Sequence, residues 1–290
     1  MSRSVAALIT EHGLPADYTA QVKRWWRPLA HDIAAWRAAA TMPLVVGING
    51  AQGSGKSTLA AFLEQALLPA LDLGAVTLSL DDLYLPRADR LVLARDVHPL
   101  FATRGVPGTH DAALGGALID ALRAPVSAPV RVPRFSKADD DRLPESAWRS
   151  VTARPDIILF EGWCVGATPE APEALLAPVN ALEAEEDADG IWRSHVNAAL
   201  AGDYAALFAR IDRLVMLRPP SFDAVFANRL LQERKLRDRA GAAGRVMSDA
   251  EVERFVRHYE RLTRHMFADL PQRADRLFLL DAQQRVISAR

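Results

Sequence analysis

A glycine-rich segment with a lysine near its end most constrains what this 290-residue chain can fold into. The segment GAQGSGKS spans residues 50–57 and matches the pattern G-x-x-x-x-G-K-[ST]. It follows LVVGI, residues 44–48, a short apolar run typical of a strand buried on both faces. It precedes the helical pattern TLAAFLEQALL, so the order of strand, loop and helix is the one that a phosphate-binding loop requires.

The residue types of the loop suit it to a nucleoside triphosphate. Gly50, Gly53 and Gly55 allow the backbone to curl so that successive amide groups point at phosphate oxygens. Lys56 supplies a cation for the β and γ phosphates, and the Ser57 hydroxyl is a ligand for Mg²⁺. We therefore predict ATP and Mg²⁺ as cofactors, with the nucleotide bound by Gly50, Ala51, Gln52, Gly53, Ser54, Gly55, Lys56, Ser57 and Thr58.

Further short apolar runs predict the other strands of one sheet. They lie at residues 76–80, 157–160, 214–217 and 277–280, and helical patterns separate them. Strands that alternate with helices form right-handed crossovers and a parallel sheet. The sequence therefore predicts an α/β fold of the P-loop NTPase type, with three α/β/α layers and a mostly parallel central sheet.

The N-terminal part of the chain has a helical pattern. Apolar side chains recur every three or four residues over 17–40, and Pro28 predicts a kink or a second helix that begins near Trp26. We interpret the tryptophans of this stripe as core packing, in preference to a partner surface. The chain is accordingly divided into an N-terminal helical extension, residues 1–42, packed on a P-loop domain, residues 43–290.

Several stretches lack a clear period. Residues 86–113 and 124–150 are rich in Pro, Arg, Asp and His and are predicted to be functional loops that form the walls of the substrate site. The acidic segment 183–190, EAEEDADG, is interpreted as a solvated surface in preference to a metal site. Ser248 and Glu251 form a capping box and predict the start of a long helix with one apolar face.

Composition excludes some classes of partner. The 35 basic and 36 acidic residues give a net charge of −1, which is no global footprint for nucleic acid or an anionic membrane. No apolar run approaches the length of a membrane span, and the N-terminus has no signal-peptide core. Cys164 is the only cysteine, so we expect no internal disulfide, a cytoplasmic protein, and a buried thiol in preference to an oxidation sensor.

Acidic residues follow two of the predicted strands. Asp81 and Asp82 come directly after VTLSL, at the carboxyl edge of the sheet where ligands bind. Asp81 is predicted to be the base that takes a hydroxyl proton, and Asp82 its metal-side or orienting neighbour, with the two roles open to exchange. Glu161 ends another buried run and is predicted to act on the Mg²⁺ shell. The predicted catalytic residues are Lys56, Asp81, Asp82 and Glu161, and the predicted metal ligands are Ser57, Asp82 and Glu161.

A series of motifs gives a more specific resemblance. In order along the chain these are LSLDDLY, RGVPGTHD (104–111), VPRFSKADDDR (132–142), ILFEGW (158–163) and NRLLQERKLR (228–237). Over roughly residues 42–285 the chain resembles the plant-type D-glycerate 3-kinase family, which is similar to uridine kinase, phosphoribulokinase and bacterial pantothenate kinase. The resemblance implies transfer of the ATP γ-phosphate to a small hydroxy acid, with D-glycerate giving 3-phosphoglycerate, and Asp81 matches the family's catalytic base.

The acceptor side is expected to bind an anion. The resemblance implies that the acceptor pocket is lined by segments that carry Arg104, His110, Asp111, Arg134 and Lys137, and we add Tyr84 to this set. The three cations among these residues can pair with a carboxylate, although each arginine can also form a surface ion pair, and the histidine can be structural. Two departures from the family concern this wall, since Phe135 and Ser136 stand where the family often has Tyr and Asp. A third is Asn228, where the family often has Trp.

A basic segment follows near the C-terminus. Residues 229–245 hold six basic and two acidic side chains and end at two glycines, which predicts a mobile lid near 229–247 that closes on the phosphates. Arg234 and Arg237 are its nucleotide-binding candidates. A nucleic-acid patch is the disfavoured alternative, because no aromatic side chains are interleaved.

The sequence leaves two further functions open. One is a kinase of another acceptor, such as a nucleoside, a sugar phosphate or a pantothenate-like molecule. The other is a regulatory P-loop ATPase without a small acceptor. A GTPase is disfavoured because no asparagine is followed by lysine, as its guanine motif would require.

Overall fold

A six-stranded sheet lies at the centre of the computed structural model, which describes residues 3–125, 127–240 and 247–290. Its strands, with four short ones outside the sheet (β3 to β6), are β1 Leu44–Gly50, β2 Ala75–Ser79, β3 Val130–Val132, β4 Phe135–Ser136, β5 Asp141–Arg142, β6 Arg149–Val151, β7 Ile157–Gly162, β8 Arg213–Arg218, β9 Arg276–Leu280 and β10 Val286–Ala289. The five strands predicted from apolar runs, β1, β2, β7, β8 and β9, each begin and end within two residues of the predicted bounds.

The strand order in the sheet is β10-β9-β8-β1-β7-β2. The five strands from β9 to β2 are parallel, and only β10 pairs antiparallel, at the edge. All seven residues of β1 are buried, as expected for the central strand of a sheet covered on both faces. The prediction of an α/β fold with a mostly parallel sheet is confirmed.

Helices cover both faces of the sheet. They are α1 Val5–Glu11, α2 Tyr18–Gln21, α3 Arg27–Ala38, α4 Lys56–Phe62, α5 Arg87–Asp96, α6 Ala112–Arg123, α7 Ala181–Glu186, α8 Ile191–Ala199, α9 Ala205–Phe208, α10 Phe222–Ala240 and α11 Asp249–Arg273. Neighbouring residues of β1 serve opposite cores: Val46 packs with α1, α3 and α4, and Val45 packs with α6, α9 and α11. The three layers follow from this alternation, since successive side chains of a strand point to opposite faces.

The N-terminal helix continues past Pro28 through a π-helical turn. The turn spans Val22–Trp26 and joins α2 to α3 without a break, so Pro28 lies inside one continuous helical run, at the start of α3. Trp26 is 2% exposed and meets Phe278 of β9 edge-on, with 5.1 Å between ring centroids. The predicted helix and the interpretation of its tryptophans as core are confirmed.

One predicted loop contains a helix. The expectation that residues 86–113 are irregular is wrong, since this segment contains α5. The helix has no apolar stripe that would predict it, because its buried side chain is Arg90. The guanidinium of Arg90 donates to the carbonyl oxygens of Leu85, Ala102 and Asp140 at 3.3, 3.0 and 2.6 Å. Within residues 124–150, two antiparallel pairs form, β3 with β6 and β4 with β5.

The acidic segment is more than a solvated surface, and that expectation is wrong for two of its residues. Glu183 is 1% exposed and accepts hydrogen bonds from Nε and Nη2 of Arg261 at 2.8 and 2.7 Å. Asp187 is 2% exposed, accepts from the Trp192 amide at 2.7 Å and pairs with Arg193. The sequence pattern predicts water as the partner of these charges. Arg261, however, lies 78 residues downstream of Glu183, where a local charge count does not register it.

The C-terminal helix agrees with its prediction. Ser248 accepts from the Glu251 amide at 3.3 Å, and the Glu251 carboxylate accepts from the Ser248 amide at 2.7 Å, so the capping box is confirmed. The predicted apolar face of α11 packs in the core. Within the described residues, no helix combines the length and the apolar character needed to cross a membrane.

We predict that Glu183→Ala destabilises the fold by about 3 kcal/mol, because it leaves the charge of Arg261 buried without its main partner. Glu185→Ala is the matched control, since Glu185 lies in the same acidic run and is exposed; we expect a change within about 0.5 kcal/mol. Urea denaturation followed by circular dichroism measures both. Equal losses in the two variants would contradict a specific role for the buried pair.

Candidate active site

The phosphate-binding loop connects β1 to α4 with two left-handed glycines. Gly53 and Gly55 have φ angles of 77° and 86°, which side chains with a Cβ rarely adopt. At Gly50 a Cβ would lie 2.3 Å from Ser54 Oγ, so a side chain there would force Ser54 to move. The Ser54 amide donates to the Ala51 carbonyl at 3.0 Å and closes the turn, and α4 then begins at Lys56. Sequence, turn and helix start therefore agree with the predicted loop, which continues into Thr58.

A carboxylate links this loop to the strand beside it. Glu161 Oε1, at the end of β7, accepts from the Ser57 hydroxyl at 3.1 Å and from the Ser79 hydroxyl at 2.9 Å. Glu161 is 5% exposed, and its Oε2 atom is buried with no hydrogen-bond partner among the described residues. An orphaned carboxylate oxygen beside a hydroxyl is the donor set that a hard divalent cation such as Mg²⁺ prefers.

Asp81 contacts a lysine and a tyrosine of the site. It lies in the short helical turn after β2, where Oδ2 is 2.7 Å from Lys137 Nζ and Oδ1 accepts from the Tyr84 hydroxyl at 3.0 Å. Burial of the carboxyl opposes ionisation, but the positive charges of Lys137 and Lys56 outweigh it and lower the pKa of Asp81 to about 2. Asp81 is therefore an anion at neutral pH. It lies in the electrostatic field of Lys56 in the phosphate-binding loop and of Lys137 in residues 132–142, which we call the acceptor loop.

Asp82 faces a different partner. Its Oδ1 accepts from the Phe135 amide at 3.0 Å and so ties the turn after β2 to the short strand β4. Burial and the neighbouring charge of Asp81 raise the pKa of Asp82, against the effect of that amide. The two adjacent acids are thus placed differently: Asp81 contacts Lys137 and Tyr84, and Asp82 anchors the acceptor loop.

His110 is buried behind Tyr84. The two rings stack with 4.4 Å between centroids, and His110 Nδ1 lies 2.6 Å from the Tyr204 hydroxyl, which also accepts from the Gly108 amide at 3.1 Å. When the proton of His110 is on Nε2, the Tyr204 hydroxyl donates to Nδ1, and both atoms have a hydrogen-bond partner. When the proton is on Nδ1, two groups are left without a partner, the Tyr204 hydroxyl proton and the Nε2 lone pair. The proton of His110 therefore lies on Nε2, an atom buried without a hydrogen-bond partner among the described residues. Burial lowers the pKa of His110 to about 3, so the ring is neutral at pH 7.

The other predicted acceptor residues are placed unequally. Arg104 pairs with Asp140, and its guanidinium lies 5.4 Å from the centroid of the Phe135 ring. Arg134 is exposed on the chain beside that ring. Asp111, by contrast, caps α6 by accepting from the Leu114 amide at 3.0 Å and lies 3.4 Å from Arg142. Asp111 therefore caps a helix, and its predicted contact with the acceptor stays a prediction.

The basic segment 229–247 is described only in part. Arg234 Nη2 lies 2.7 Å from Asp249 Oδ2, so α10 is tied to the start of α11. Arg229 pairs with Glu233 one helical turn away at 2.6 Å. The side chain of Arg237 and all of residues 241–246 lie outside the described residues. The lid and its arginine contacts to nucleotide stay predictions.

Sequence reasoning missed three residues that position this site. Ser79 shares Glu161 with the loop serine, Tyr204 orients His110, and Arg142 donates to the Tyr84 carbonyl at 2.9 Å. Ser79 had a usable signal, because it stands two residues before Asp81 in the LSLDD motif. Tyr204 had none, since it lies 94 residues beyond His110 in a segment without a motif.

The described residues contain no cluster of three or more His, Cys, Asp or Glu side chains arranged to hold a metal ion. Cys164 is buried, and that burial raises the pKa of its thiol, as predicted for a small core residue. The site thus consists of a phosphate-binding loop, a hydroxyl and a carboxylate that could hold a cation (Ser57 and Glu161), and an acid paired with a lysine (Asp81 and Lys137). This arrangement, on a parallel sheet whose central strand ends in the loop, defines a P-loop kinase.

Comparison with known proteins agrees with that class. No protein-family model matches the chain. The kinase mug58 of Schizosaccharomyces pombe is 36% identical over 227 residues, covering 75% of this chain and 78% of that protein. The chloroplastic D-glycerate 3-kinase of Arabidopsis thaliana is 33% identical over 226 residues, covering 75% of this chain and 46% of that protein. The D-glycerate 3-kinase structure from Cryptococcus neoformans has the same fold, with a TM-score of 0.77, 24% identity, and coverage of 92% of this chain and 99% of that one.

The chain therefore belongs to the plant-type D-glycerate 3-kinase family. It is a phosphotransferase with a hydroxyl group as acceptor. The resemblance expected from the sequence motifs is confirmed.

We predict that His110 and His258 are opposite neutral tautomers. His258 Nδ1 lies 3.0 Å from the Arg254 carbonyl, which can only accept, so its proton is on Nδ1. Imidazole ¹⁵N spectra should show a protonated Nε2 in His110 and a protonated Nδ1 in His258, both unchanged from pH 7 to 5.5, because burial lowers their pKa values to about 3 and about 4. Tyr204→Phe should disturb only the His110 signals. A protonated Nδ1 in wild-type His110 would contradict the assignment.

Proposed function

We propose that the protein transfers the γ-phosphate of ATP to a hydroxyl of a small hydroxy acid, with D-glycerate giving 3-phosphoglycerate. One observation carries the proposal. The carboxylate of Asp81 lies within the electrostatic influence of Lys56 in the phosphate-binding loop and is hydrogen-bonded to Lys137 in the acceptor loop. A hydroxyl that binds at Asp81 thus lies between the group that holds the phosphates and the group that neutralises an anionic acceptor.

The phosphate side uses the loop and its helix. The amides from Gly50 to Ser57 and the N-terminal end of α4 bind the phosphate oxygens, and Lys56 neutralises charge on the transferring group. Ser57 and Glu161 would hold Mg²⁺, since their oxygens and the orphaned Oε2 fit a hard cation. When bound, that ion neutralises charge on the β and γ phosphates. Asp82, which binds the Phe135 amide, is proposed to orient the acceptor loop.

Asp81 orients the acceptor hydroxyl and takes its proton. With a pKa of about 2 it is a weak base towards a free alcohol. Phosphoryl transfer has a loose transition state, in which the attacking hydroxyl becomes acidic only as its bond to phosphorus forms. The proton therefore moves late to Asp81, and earlier in the reaction the carboxylate serves to align the hydroxyl oxygen with the γ-phosphate.

The acceptor side favours a carboxylate. Lys137 pairs with Asp81, the charge of Arg134 acts on Asp82, and Arg104 pairs with Asp140, so this wall carries three positive charges. An arginine can bind a carboxylate with two parallel hydrogen bonds. The buried Nε2 proton of His110 offers a donor to an acceptor oxygen. Phe135 and Ser136 remove a phenol and a carboxylate relative to the family pattern, yet Phe135 still packs against Tyr84, with 5.1 Å between ring centroids.

The relatives support the same acceptor. The Arabidopsis protein is named a D-glycerate 3-kinase, and this chain spans about half of its length. ADP release should be measured over D-glycerate, related hydroxy acids, nucleosides, sugar phosphates and pantothenate. We expect strong stimulation by D-glycerate. Stimulation by a different acceptor would replace the substrate, and slow hydrolysis that no acceptor changes would favour a regulatory ATPase.

We predict that Asp81→Asn lowers kcat by about 10²- to 10⁴-fold with little change in ATP affinity, because an amide cannot accept the hydroxyl proton. Steady-state kinetics and ATP titration measure the two effects. Asp82→Asn is the matched control. It weakens the anchor at Phe135, so we expect a higher KM for the acceptor and a smaller loss of kcat. The reverse ranking of the two variants in kcat would exchange their roles.

A further inference from the structure

The carboxylate of Asp140 lies between two arginines of the acceptor wall. Oδ1 accepts a hydrogen bond from Arg104 Nη1, and Oδ2 lies 3.0 Å from Arg90 Nη2. Its neighbours bind elsewhere: Asp139 Oδ2 accepts from the Ser136 hydroxyl at 2.5 Å, and Asp141 Oδ1 accepts from the Arg87 amide at 2.9 Å. Of the three consecutive acids, Asp140 is therefore the one that meets both guanidinium groups.

The two arginines differ in what else holds them. The side chain of Arg90 is 1% exposed, and its remaining donors bind the carbonyl oxygens of Leu85 and Ala102. Arg90 also donates to the carbonyl oxygen of Asp140, so it fixes this residue by both backbone and side chain. Arg104 is 25% exposed in its side chain, and its described ion pair is the one with Asp140. Release of Arg104 would leave Asp140 anchored.

The Phe135 ring keeps the two arginines on one surface. Their guanidinium carbons lie 5.9 Å (Arg90) and 5.4 Å (Arg104) from its centroid. Arg104 can therefore exchange its partner while its guanidinium stays within cation–π range of the ring. The proposed acceptor carboxylate would bind the same guanidinium that Asp140 now occupies.

We propose that Asp140 is a specificity-determining residue that competes with the carboxylate of the acceptor for Arg104. The inference rests on the proposed function. An acceptor with a full negative charge can replace the Asp140 carboxylate at Arg104, because the exchange substitutes one ion pair for another. A neutral polyol has no charge to exchange and leaves the Asp140 carboxylate in place, so the competition lowers the affinity of charged acceptors only.

The test is Asp140→Asn, which removes the charge and keeps the shape. Asn also tolerates the left-handed backbone at this position, where φ is 56°. Because an exposed ion pair is weak, we expect KM for D-glycerate to fall by about two- to fivefold, with kcat and KM for ATP nearly unchanged. Activity with glycerol, the neutral analogue, should not improve. Asp139→Asn is the matched control, because it removes the same charge one residue away, and KM should stay near the wild-type value.

The outcomes separate this inference from the proposed function. If the wild-type enzyme does not phosphorylate D-glycerate, the proposed function fails. If it does, a higher KM in Asp140→Asn would show that Asp140 orients Arg104, and an equal fall in both variants would show a general charge effect; either result overturns the inference. Asp140→Gly, which also suits φ 56°, replaces Asp140→Asn if thermal unfolding shows that the latter is destabilised.

Discussion

The carboxylate of Glu161 is the contact on which the geometry of the site depends. By accepting hydrogen bonds from the hydroxyls of Ser57 and Ser79, it links three adjacent strands, β1, β7 and β2, at their carboxyl ends. The phosphate-binding loop follows the first of these strands and Asp81 follows the last. Because parallel strands end at the same edge, one short polar contact between them sets how far the triphosphate lies from the acceptor. The separation of donor and acceptor is thus built into the sheet.

Arginine performs most of the tethering around this frame. Of the 35 basic residues only four are lysines, and two of those, Lys56 and Lys137, lie in the field of Asp81. The arginines instead bind carbonyl oxygens and carboxylates over long sequence distances, as Arg261 does with Glu183 and Arg90 with Asp140. A planar guanidinium with five donors can satisfy several acceptors at once, whereas an ammonium is a compact point charge. The division matches the chemistry, since these two lysines lie where a mobile or reacting group is proposed to bind.

The sequence predicted those parts of the molecule in which local pattern and global structure coincide. The strands β1 and β7 are buried on both faces, as is the middle of β8, so each appears as a short apolar run. The P-loop and the capping box have fixed spacings. Helix α5 was missed because its inward residue is Arg90, and the burial of Glu183 was missed because its partner lies far along the chain. The motifs named Asp81 and Lys137, but the contact between them, the tautomer of His110 and the anchoring of Asp82 depend on loops that meet only in three dimensions.

Arg90 separates two tasks that a single residue often combines. It fastens the wall by bonds to main-chain oxygens, so the wall keeps its shape when Asp140 is replaced by another residue that tolerates its left-handed backbone, such as Asn or Gly. Neighbouring side chains can then be exchanged during evolution without loosening the scaffold. A wall built in this way can change its acceptor contacts by single substitutions that leave its main-chain anchors in place.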